Sequence, residues 1–319
     1  MKKHRWILWV LLVAAVVALW GTGTSCRERE DTAGGETLSF TDALGRAVQV
    51  KKKPGRVAAL LGSFADIWVL SGGELCAAAA DAWEDFGLEL NGAVNLGGAH
   101  SPSFELLISA DPDFVIASAS TASNVAMKDA IEAMGITVAY FDVCNFDDYL
   151  DMLNICTDLT GQKDLYGQNG LALRAEIEAV RSQYAEADLP DAERRILLLR
   201  ASSGAVKAKG SRGTILGEML ADMGCVNIAD SAAGLLENLS AEAVIREEPY
   251  RIFVVTMGSN TEAAKSALEN LMKENPAWNT LAAVREGRLY VMDKTLFNLK
   301  PNARWAEAYE VLYEKLTEK

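Results

Sequence analysis

The sequence predicts an α/β protein with two lobes, each built on a central, mostly parallel sheet, and joined by one long α-helix. Short apolar runs alternate with helical segments in two stretches of the chain, and such runs are typical of parallel strands covered on both faces. Between these stretches, residues 146–184 contain no strand-like run. The length of 319 residues is enough for two domains with cores of their own.

Residues 1–25 have the pattern of a secretory signal. Lys2, Lys3 and Arg5 precede fifteen apolar residues at 6–20, and small or polar residues follow. At 1.5 Å per residue the apolar run would cover about 22 Å, which is shorter than a hydrocarbon core of about 30 Å. A cleaved signal is therefore favoured over an uncleaved membrane anchor, which is the alternative.

The segment after the apolar run predicts a lipid-anchored protein. Residues 23–26, Gly-Thr-Ser-Cys, resemble a bacterial lipobox, in which the cysteine is lipidated and becomes the first residue of the mature chain. This predicts lipidation at Cys26. Residues 26–37 are polar and contain glycine, so they are expected to form a flexible tether.

The N-terminal lobe is predicted over residues 38–161. Two short runs flank residues 42–46, which indicates a hairpin that turns at Gly45. Strands and helices then alternate. The predicted strands are 56–61, 75–80, 114–117 and 137–141, and the predicted helices are 64–70, 103–109 and 124–134.

An interlobe helix is predicted within residues 162–189. Apolar residues recur among charged ones over 163–184, and a helix of about 22 residues would span about 33 Å, the width of a small domain. The alternation resumes in the C-terminal lobe, residues 190–319. There the predicted strands are 196–199, 252–256 and 289–292, and the predicted helices are 214–223, 242–246, 262–273 and 303–315.

The two lobes contain a similar short pattern. In each, a serine opens a short helix with a glutamate in its first turn, and a proline follows before a buried strand. The equal spacing gives modest support to a duplication. The matching residues are Ser103, Glu105 and Pro112 in one lobe and Ser240, Glu242 and Pro249 in the other.

Composition excludes some classes of function. The chain has 44 acidic and 31 basic residues and a net charge of -13, which repels nucleic acid, so no such partner is expected. No cofactor or metal site is expected either, because the cysteines beyond residue 26 lie far apart without a CxxC pair. Whether any of these cysteines form a disulfide stays open. They are Cys76, Cys144, Cys156 and Cys225.

From Phe40 to the C-terminus, the order of several short motifs resembles the iron-complex and cobalamin substrate-binding proteins of ABC importers. These form the class of the periplasmic-binding fold, class III, whose lobes are joined by a single helix. The motifs are Thr41–Arg46, Pro54 with Arg56 and Val57, Gly97 and Gly98, Pro102 with Glu105, Asp111–Asp113, Leu159–Gly161, Gly217–Leu220, Gly224 with Asn227 and Ile228, Pro276–Trp278, Leu281, Ala283, Val284, Gly287, Arg288 and Tyr290.

The resemblance implies a transport receptor rather than an enzyme. Such a protein would be a monomer outside the cytoplasm, would hold a ligand between its lobes and would deliver it to a membrane permease with its ATPase. In this family one acid on each lobe pairs with permease arginines, and the matching positions here are Asp66 and Glu242. The alternative interpretation is that both are first-turn acids that stabilise helix N-termini.

Ligand-binding residues are expected in the loops after the strands. Residues 194–217 contain six bases and no acids, which suits an anionic ligand, although Lys207 and Lys209 could instead belong to a solvated loop. Arg200 is the stronger candidate, because its planar guanidinium binds carboxylate or catecholate oxygens at two points. The candidate set is Trp83, Phe86, His100, Arg200, Lys209, Arg212, Met257, Phe297 and Arg304.

The ligand itself stays open at this point. A ferric siderophore is favoured because it needs basic groups and aromatic walls. Haem would need an axial ligand such as His100 or Met257. Cobalamin is less favoured because Leu236 stands where cobalamin binders and some siderophore binders carry tryptophan. A secreted hydrolase that uses His100 with Ser101 or Ser63 is the alternative of another class.

Overall fold

The computed structural model describes residues 35–232, 234–258 and 260–318, and the chain from Thr37 onward forms one compact unit. The predicted signal, Cys26 and most of the predicted tether lie outside the described residues. No helix in the described part is long and apolar enough to cross a membrane. The first element is a hairpin of β1 (Thr37–Thr41) and β2 (Ala47–Lys51), with Gly45 at φ +75° in its turn, as predicted.

The N-terminal lobe contains a sheet of five strands, all parallel. The strands are β3 (Val57–Ala59), β4 (Ala77–Ala78), β5 (Val94–Asn95), β6 (Phe114–Ser118) and β7 (Thr137–Phe141). Their order across the sheet is β5-β4-β3-β6-β7. Every residue of β6 is buried, which agrees with the expectation of a sheet covered on both faces.

Helices cover this sheet, and they are α1 (Gly62–Leu70), α2 (Asp81–Glu84), α3 (Phe104–Ser109), α4 (Ala122–Ala126), α5 (Lys128–Ala133) and α6 (Phe146–Thr160). The predicted helix 124–134 is thus two short helices that meet at Met127. Helix α6 begins with a capping box between Asn145 and Asp148 and ends at Gly161, which has a φ of +75°.

One continuous helical segment joins the lobes. It consists of α7 (Asp164–Tyr166), a π-helical turn (Gly167–Leu171) and α8 (Ala172–Glu186), with right-handed helical geometry at each junction. Gly170 lies against α6, where a β-carbon would come within 2.8 Å of Leu150 Cδ2. The Tyr149 hydroxyl donates a hydrogen bond to the Asn169 carbonyl at 2.6 Å.

The C-terminal lobe has a second five-stranded sheet. Its strands are β8 (Arg195–Ser202), β9 (Ala205–Lys209), β10 (Val226–Asn227), β11 (Arg251–Thr256) and β12 (Leu289–Met292). The parallel strands follow the order β10-β8-β11-β12, and β9 pairs antiparallel with the C-terminal part of β8. Strand β9 corrects the expectation of a loop at Lys207 and Lys209.

The helices of the C-terminal lobe are α9 (Ile215–Asp222), α10 (Ile228–Ser231), α11 (Gly234–Glu237), α12 (Ala241–Glu247), α13 (Thr261–Glu274), α14 (Ala282–Arg285), α15 (Lys294–Phe297) and α16 (Trp305–Thr317). Short 3₁₀ turns occur at Asp191–Arg194, Pro276–Thr280 and Asn302–Arg304.

Buried apolar side chains of the described residues form three clusters. One is confined to the N-terminal lobe and one to the C-terminal lobe. The largest runs through both lobes and the connecting helix, and Phe64, Ile177 and Leu198 represent the three parts. Because each buried apolar side chain stabilises the fold by about 1.5–3 kcal/mol, this shared cluster holds the lobes together more firmly than the connecting helix alone would.

Polar contacts also join the lobes. Lys294 Nζ lies 2.7 Å from Asp85 Oδ1, so an ion pair links α15 to the segment after α2. Asn302 Nδ2 donates hydrogen bonds of 2.8 Å to the Ser63 carbonyl and to Asp66 Oδ2, which both belong to α1. The segment that follows β12 therefore reaches across to the N-terminal lobe.

Candidate functional site

A cavity of 620 Å³ lies between the lobes. Glu84 and Asp85, which follow β4, form its wall on the N-terminal lobe. Thr256 and Met292, at the ends of β11 and β12, contribute to the opposite wall. The carboxyl ends of β11 and β12 therefore face a crevice closed on its other side by the segment around α2, and α/β sheets bind ligands outside such strand ends.

A second cavity of 520 Å³ lies beside the connecting helix. Its charged residues are largely paired with one another. Arg174 of α8 contacts Asp147 of the N-terminal lobe at 2.8 Å, and Arg181 contacts Asp222 of the C-terminal lobe at 3.1 Å. These pairs fasten the helix to both lobes and leave few free charges for a ligand.

Four predicted ligand residues lie in or next to the loops at strand ends. Trp83 and Phe86 are half-buried and follow β4. His100 is exposed after β5, and Met257, which is 41 % exposed, directly follows β11. His100 and Met257 thus belong to different lobes.

Basic residues share one face of the β8–β9 pair. Arg200 lies directly opposite Lys207, and Leu198 lies opposite Lys209. Directly opposed residues of antiparallel strands point to the same face, with β-carbons about 5 Å apart, so Arg200, Lys207 and Lys209 form one basic surface. We call these three residues the basic ladder. Leu198, on the same face, belongs to the core that the lobes share.

Two members of the basic ladder are partly removed from water. Burial lowers the pKa of the Arg200 guanidinium, and the Nε of Arg200 is fully buried without a hydrogen-bond partner among the described residues. Burial, and then the positive charges of Arg200 and Lys207, lowers the pKa of Lys209. The arrangement favours an anion that would complete the interactions of these groups.

Lys300, which lies beyond α15, is a further cation between the lobes. Its Nζ lies 5.5 Å from the centre of the Phe64 ring, and burial lowers its pKa against the opposing influence of Cys144, Asp142 and Asp81. The Oδ1 atom of Asp81 is buried and has no hydrogen-bond partner in the described part of the chain. Polar groups from both lobes therefore meet at the start of α1.

The remaining predicted ligand residues have other surroundings. Arg212 lines the 520 Å³ cavity but is mostly exposed and paired with Glu218 at 2.7 Å. Arg304 is half-exposed and paired with Glu307 at 2.6 Å. Phe297 is only 1 % exposed and packs in the shared core, where other side chains cover its ring.

Asp66 is half-buried between the lobes. Its carboxylate accepts the hydrogen bond from Asn302 between the lobes, and burial raises its pKa. Glu105 instead has the position that matches Glu242. Each glutamate is exposed in the first turn of a helix, and each helix is capped by a serine hydroxyl, from Ser103 in α3 and Ser240 in α12.

The family model described as "Periplasmic binding protein" matches residues 57–296 of the sequence. The chain belongs to the periplasmic binding protein family. The family implies a transport role outside the cytoplasm. No curated protein matches the sequence.

Solved structures of periplasmic binding proteins have the same fold. SirA of Staphylococcus aureus in complex with staphyloferrin B is 20% identical, with a TM-score of 0.69 over 88% of this chain and 98% of that chain. S. aureus IsdE with heme is 14% identical, with a TM-score of 0.67 over 82% and 99%. The vitamin B12 binding protein BtuF of Vibrio cholerae is 17% identical, with a TM-score of 0.64 over 82% and 96%.

Sequence reasoning about this periplasmic binding protein misses two features of the site. The strand β9 alternates lysine with small apolar residues and follows the turn Ser203–Gly204, which is a hairpin signal that could have been recognised. Lys300 has no comparable signal. Its burial depends on how the segment after α15 crosses to α1, which only the tertiary structure shows.

Proposed function

We propose that this protein is the extracytoplasmic substrate-binding lipoprotein of an ABC importer for an iron complex, with a ferric siderophore as its cargo. The ligand binds in the crevice between the lobes. The half-buried guanidinium of Arg200, which lacks a partner for its Nε, is the observation that carries this proposal, because it needs an anionic or strongly accepting group to satisfy it.

The ligand contacts come from both lobes. Trp83 and Phe86 supply aromatic surface from the N-terminal lobe, and Arg200 and Lys209 supply charge from the C-terminal lobe. His100 and Met257 follow strand ends and contact the more exposed part of the ligand. The lipid on Cys26 holds the protein at the membrane, where it acts as a monomer beside its permease and ATPase.

Glu105 and Glu242 contact the permease in this proposal. They replace the pair of Asp66 and Glu242 that the resemblance implies, because both glutamates are exposed and begin equivalent helices. Hydrogen bonds from its own backbone N–H and from the Ser240 hydroxyl lower the pKa of Glu242, so it is charged at neutral pH and available to arginine.

Haem is the second candidate ligand. His100 and Met257 are both exposed, belong to different lobes and are residue types that ligate haem iron. The structural relatives include a complex with heme as well as one with a siderophore.

The absorption spectrum of the full chain, purified from its native cells in a nonionic detergent, tests the proposal. A ferric siderophore gives a broad charge-transfer band in the near-ultraviolet or visible range, whereas haem gives a narrow and intense Soret band. Protein freed of ligand should then be stabilised by about 2.7 kcal/mol when a ferric siderophore is added at 100 times its Kd. The absence of stabilisation by ferric siderophores, haemin and cyanocobalamin would reject the proposal.

A further inference from the structure

The basic ladder places like charges opposite each other. Like charges directly opposed across antiparallel strands destabilise a sheet, and Lys209 lies at the diagonal distance of about 7–8 Å from Arg200. In the described part of the chain, none of the three side chains makes an ion pair with an acidic residue. The sheet therefore carries an uncompensated cost that a bound anion would relieve.

Acidic residues near the ladder already have other partners. Glu218 accepts hydrogen bonds from Arg212 and from the backbone N–H of Gly213. Asp230 accepts a hydrogen bond from the backbone N–H of Ser211. These interactions stabilise the segment between β9 and α9 and leave the ladder without a neutralising carboxylate.

The ladder also shares its face of the sheet with a residue of the core that the two lobes have in common. The residues that alternate with the ladder along the two strands point to the other face and pack in the apolar cluster confined to the C-terminal lobe. They are Leu199 and Ala201 on β8 and Ala208 on β9. Leu198, on the ladder's face, packs in the core shared with the N-terminal lobe. The three cations therefore lie on the face of the C-terminal sheet whose core continues into the N-terminal lobe.

We propose that the basic ladder binds at least two carboxylate groups of the ligand, and that the cargo is an anionic iron complex that carries several carboxylates. This inference rests on the proposed function and assigns a ligand role to Lys207 in addition to Arg200 and Lys209. Two kinds of iron complex carry carboxylate groups: a hydroxycarboxylate iron chelate, and haem through its two propionates. The basic ladder favours the chelate, because its three adjacent cations can pair with three carboxylates and haem carries only two.

The test compares four probes on the full chain in detergent: ferric citrate, a neutral ferric trihydroxamate, haemin and cyanocobalamin. Ferric citrate should bind most tightly, and its affinity should fall as ionic strength rises, because salt screens the interaction. The variants Lys207→Gln and Lys209→Gln should each weaken ferric citrate binding about tenfold or more. Lys273→Gln, which removes an exposed lysine from α13, should leave the affinity unchanged.

The melting temperature of the ligand-free variants separates a binding role from misfolding. Removing a like charge relieves repulsion, so Lys207→Gln should melt no lower than the parent. Haemin binding that depends on the ladder, with a Soret band, would support the carboxylate contacts and identify haem as their source. If the neutral trihydroxamate or cyanocobalamin binds more tightly, and the ladder variants do not change that affinity, this inference is overturned. The proposed importer role would still hold. Failure of all four probes to bind would overturn the inference and also count against the proposed function.

Discussion

Ionisable residues between the lobes are perturbed by burial. Burial raises the pKa of the Asp66 and Asp81 carboxyl groups, and the hydrogen bond from Asn302 offsets the effect only in part at Asp66. Burial lowers the pKa of Lys300 at the same contact. Each of these groups is less easily charged than in water, so the stability of the contact between the lobes depends on pH.

Asp66→Asn should change how stability depends on pH. Between the ordinary pKa of 3.8 and the raised value, the folded state binds a proton that the unfolded state releases, so Asp66 lowers stability as pH rises through this window. At pH values above this range, the charged Asp66 carboxylate continues to lower the stability of the folded state. The variant, which can still accept from Asn302, should therefore have a higher free energy of unfolding than the parent at neutral pH.

Urea unfolding from pH 3 to pH 7 measures this difference. The advantage of Asp66→Asn should vanish as pH falls toward the ordinary aspartate pKa of 3.8. A variant that is less stable than the parent at pH 7 would show instead that the charged carboxylate stabilises the contact with Asn302.

At the scale of elements, close packing fixes the connecting helix against the N-terminal lobe. The π-helical turn brings Gly170 against Leu150 and Leu153 of α6, whereas a β-carbon added at Gly167 in the same turn would have no atom within 4 Å. Of the two glycines in this turn, Gly170 is therefore closely packed and Gly167 has open space beside it. A larger side chain has room at only one of them.

Gly170→Val should destabilise the protein by about 1–3 kcal/mol, because its methyl groups would force Leu150 and Leu153 to move. Gly167→Ala is the matched control, and it should raise stability by up to about 1 kcal/mol, since alanine favours the helical conformation. Thermal unfolding of both variants provides the measurement. Equal melting temperatures would contradict the close approach of the turn to α6.

The sequence predicts elements best where their burial is uniform. Strand β11 is buried at all six positions and stands out in the sequence as an apolar run, so the prediction of this strand is confirmed. Strand β9 escapes prediction because it is mostly exposed on one face and its lysines suggest a loop. The two-residue strands β4, β5 and β10 carry too few residues to show a period of two.

The candidate site is predictable only in part for a related reason. Arg200 follows an apolar run, so its position near the end of a buried strand can be predicted. The burial of Phe297 and the contact of Asp66 with Asn302 depend on tertiary packing, and the two residues of that contact lie 236 positions apart in the chain, so no local pattern indicates either. Sequence therefore predicts which regions form the site better than which side chains face it.

At the scale of the whole molecule, an ion pair closes one side of the crevice. Lys294 and Asp85 come from different lobes, and their side chains are 19% and 28% exposed. A double-mutant cycle with Lys294→Gln and Asp85→Asn should give a coupling energy of about 0.5–1 kcal/mol that decreases at high salt. Additive effects of the two substitutions on the free energy of unfolding would show that the pair contributes nothing.

Delivery to the permease is also a property of the whole molecule. The double variant Glu105→Gln, Glu242→Gln should abolish iron uptake by cells while leaving ligand affinity unchanged, because both side chains are exposed and outside the crevice contacts. Glu269→Gln on α13 removes an equally exposed acid and serves as the control. Loss of uptake in Asp66→Asn, with normal uptake in the double variant, would restore Asp66 as the docking acid.

The apolar core that continues from one lobe into the other has a consequence for how a transporter distinguishes full receptors from empty ones. Wide opening of the lobes would divide this cluster and expose part of it to water, at a cost far above thermal energy. The outline of the molecule should therefore change little on loading. We therefore expect the permease to recognise the cargo's own surface at the mouth of the crevice, together with small shifts of the surrounding side chains.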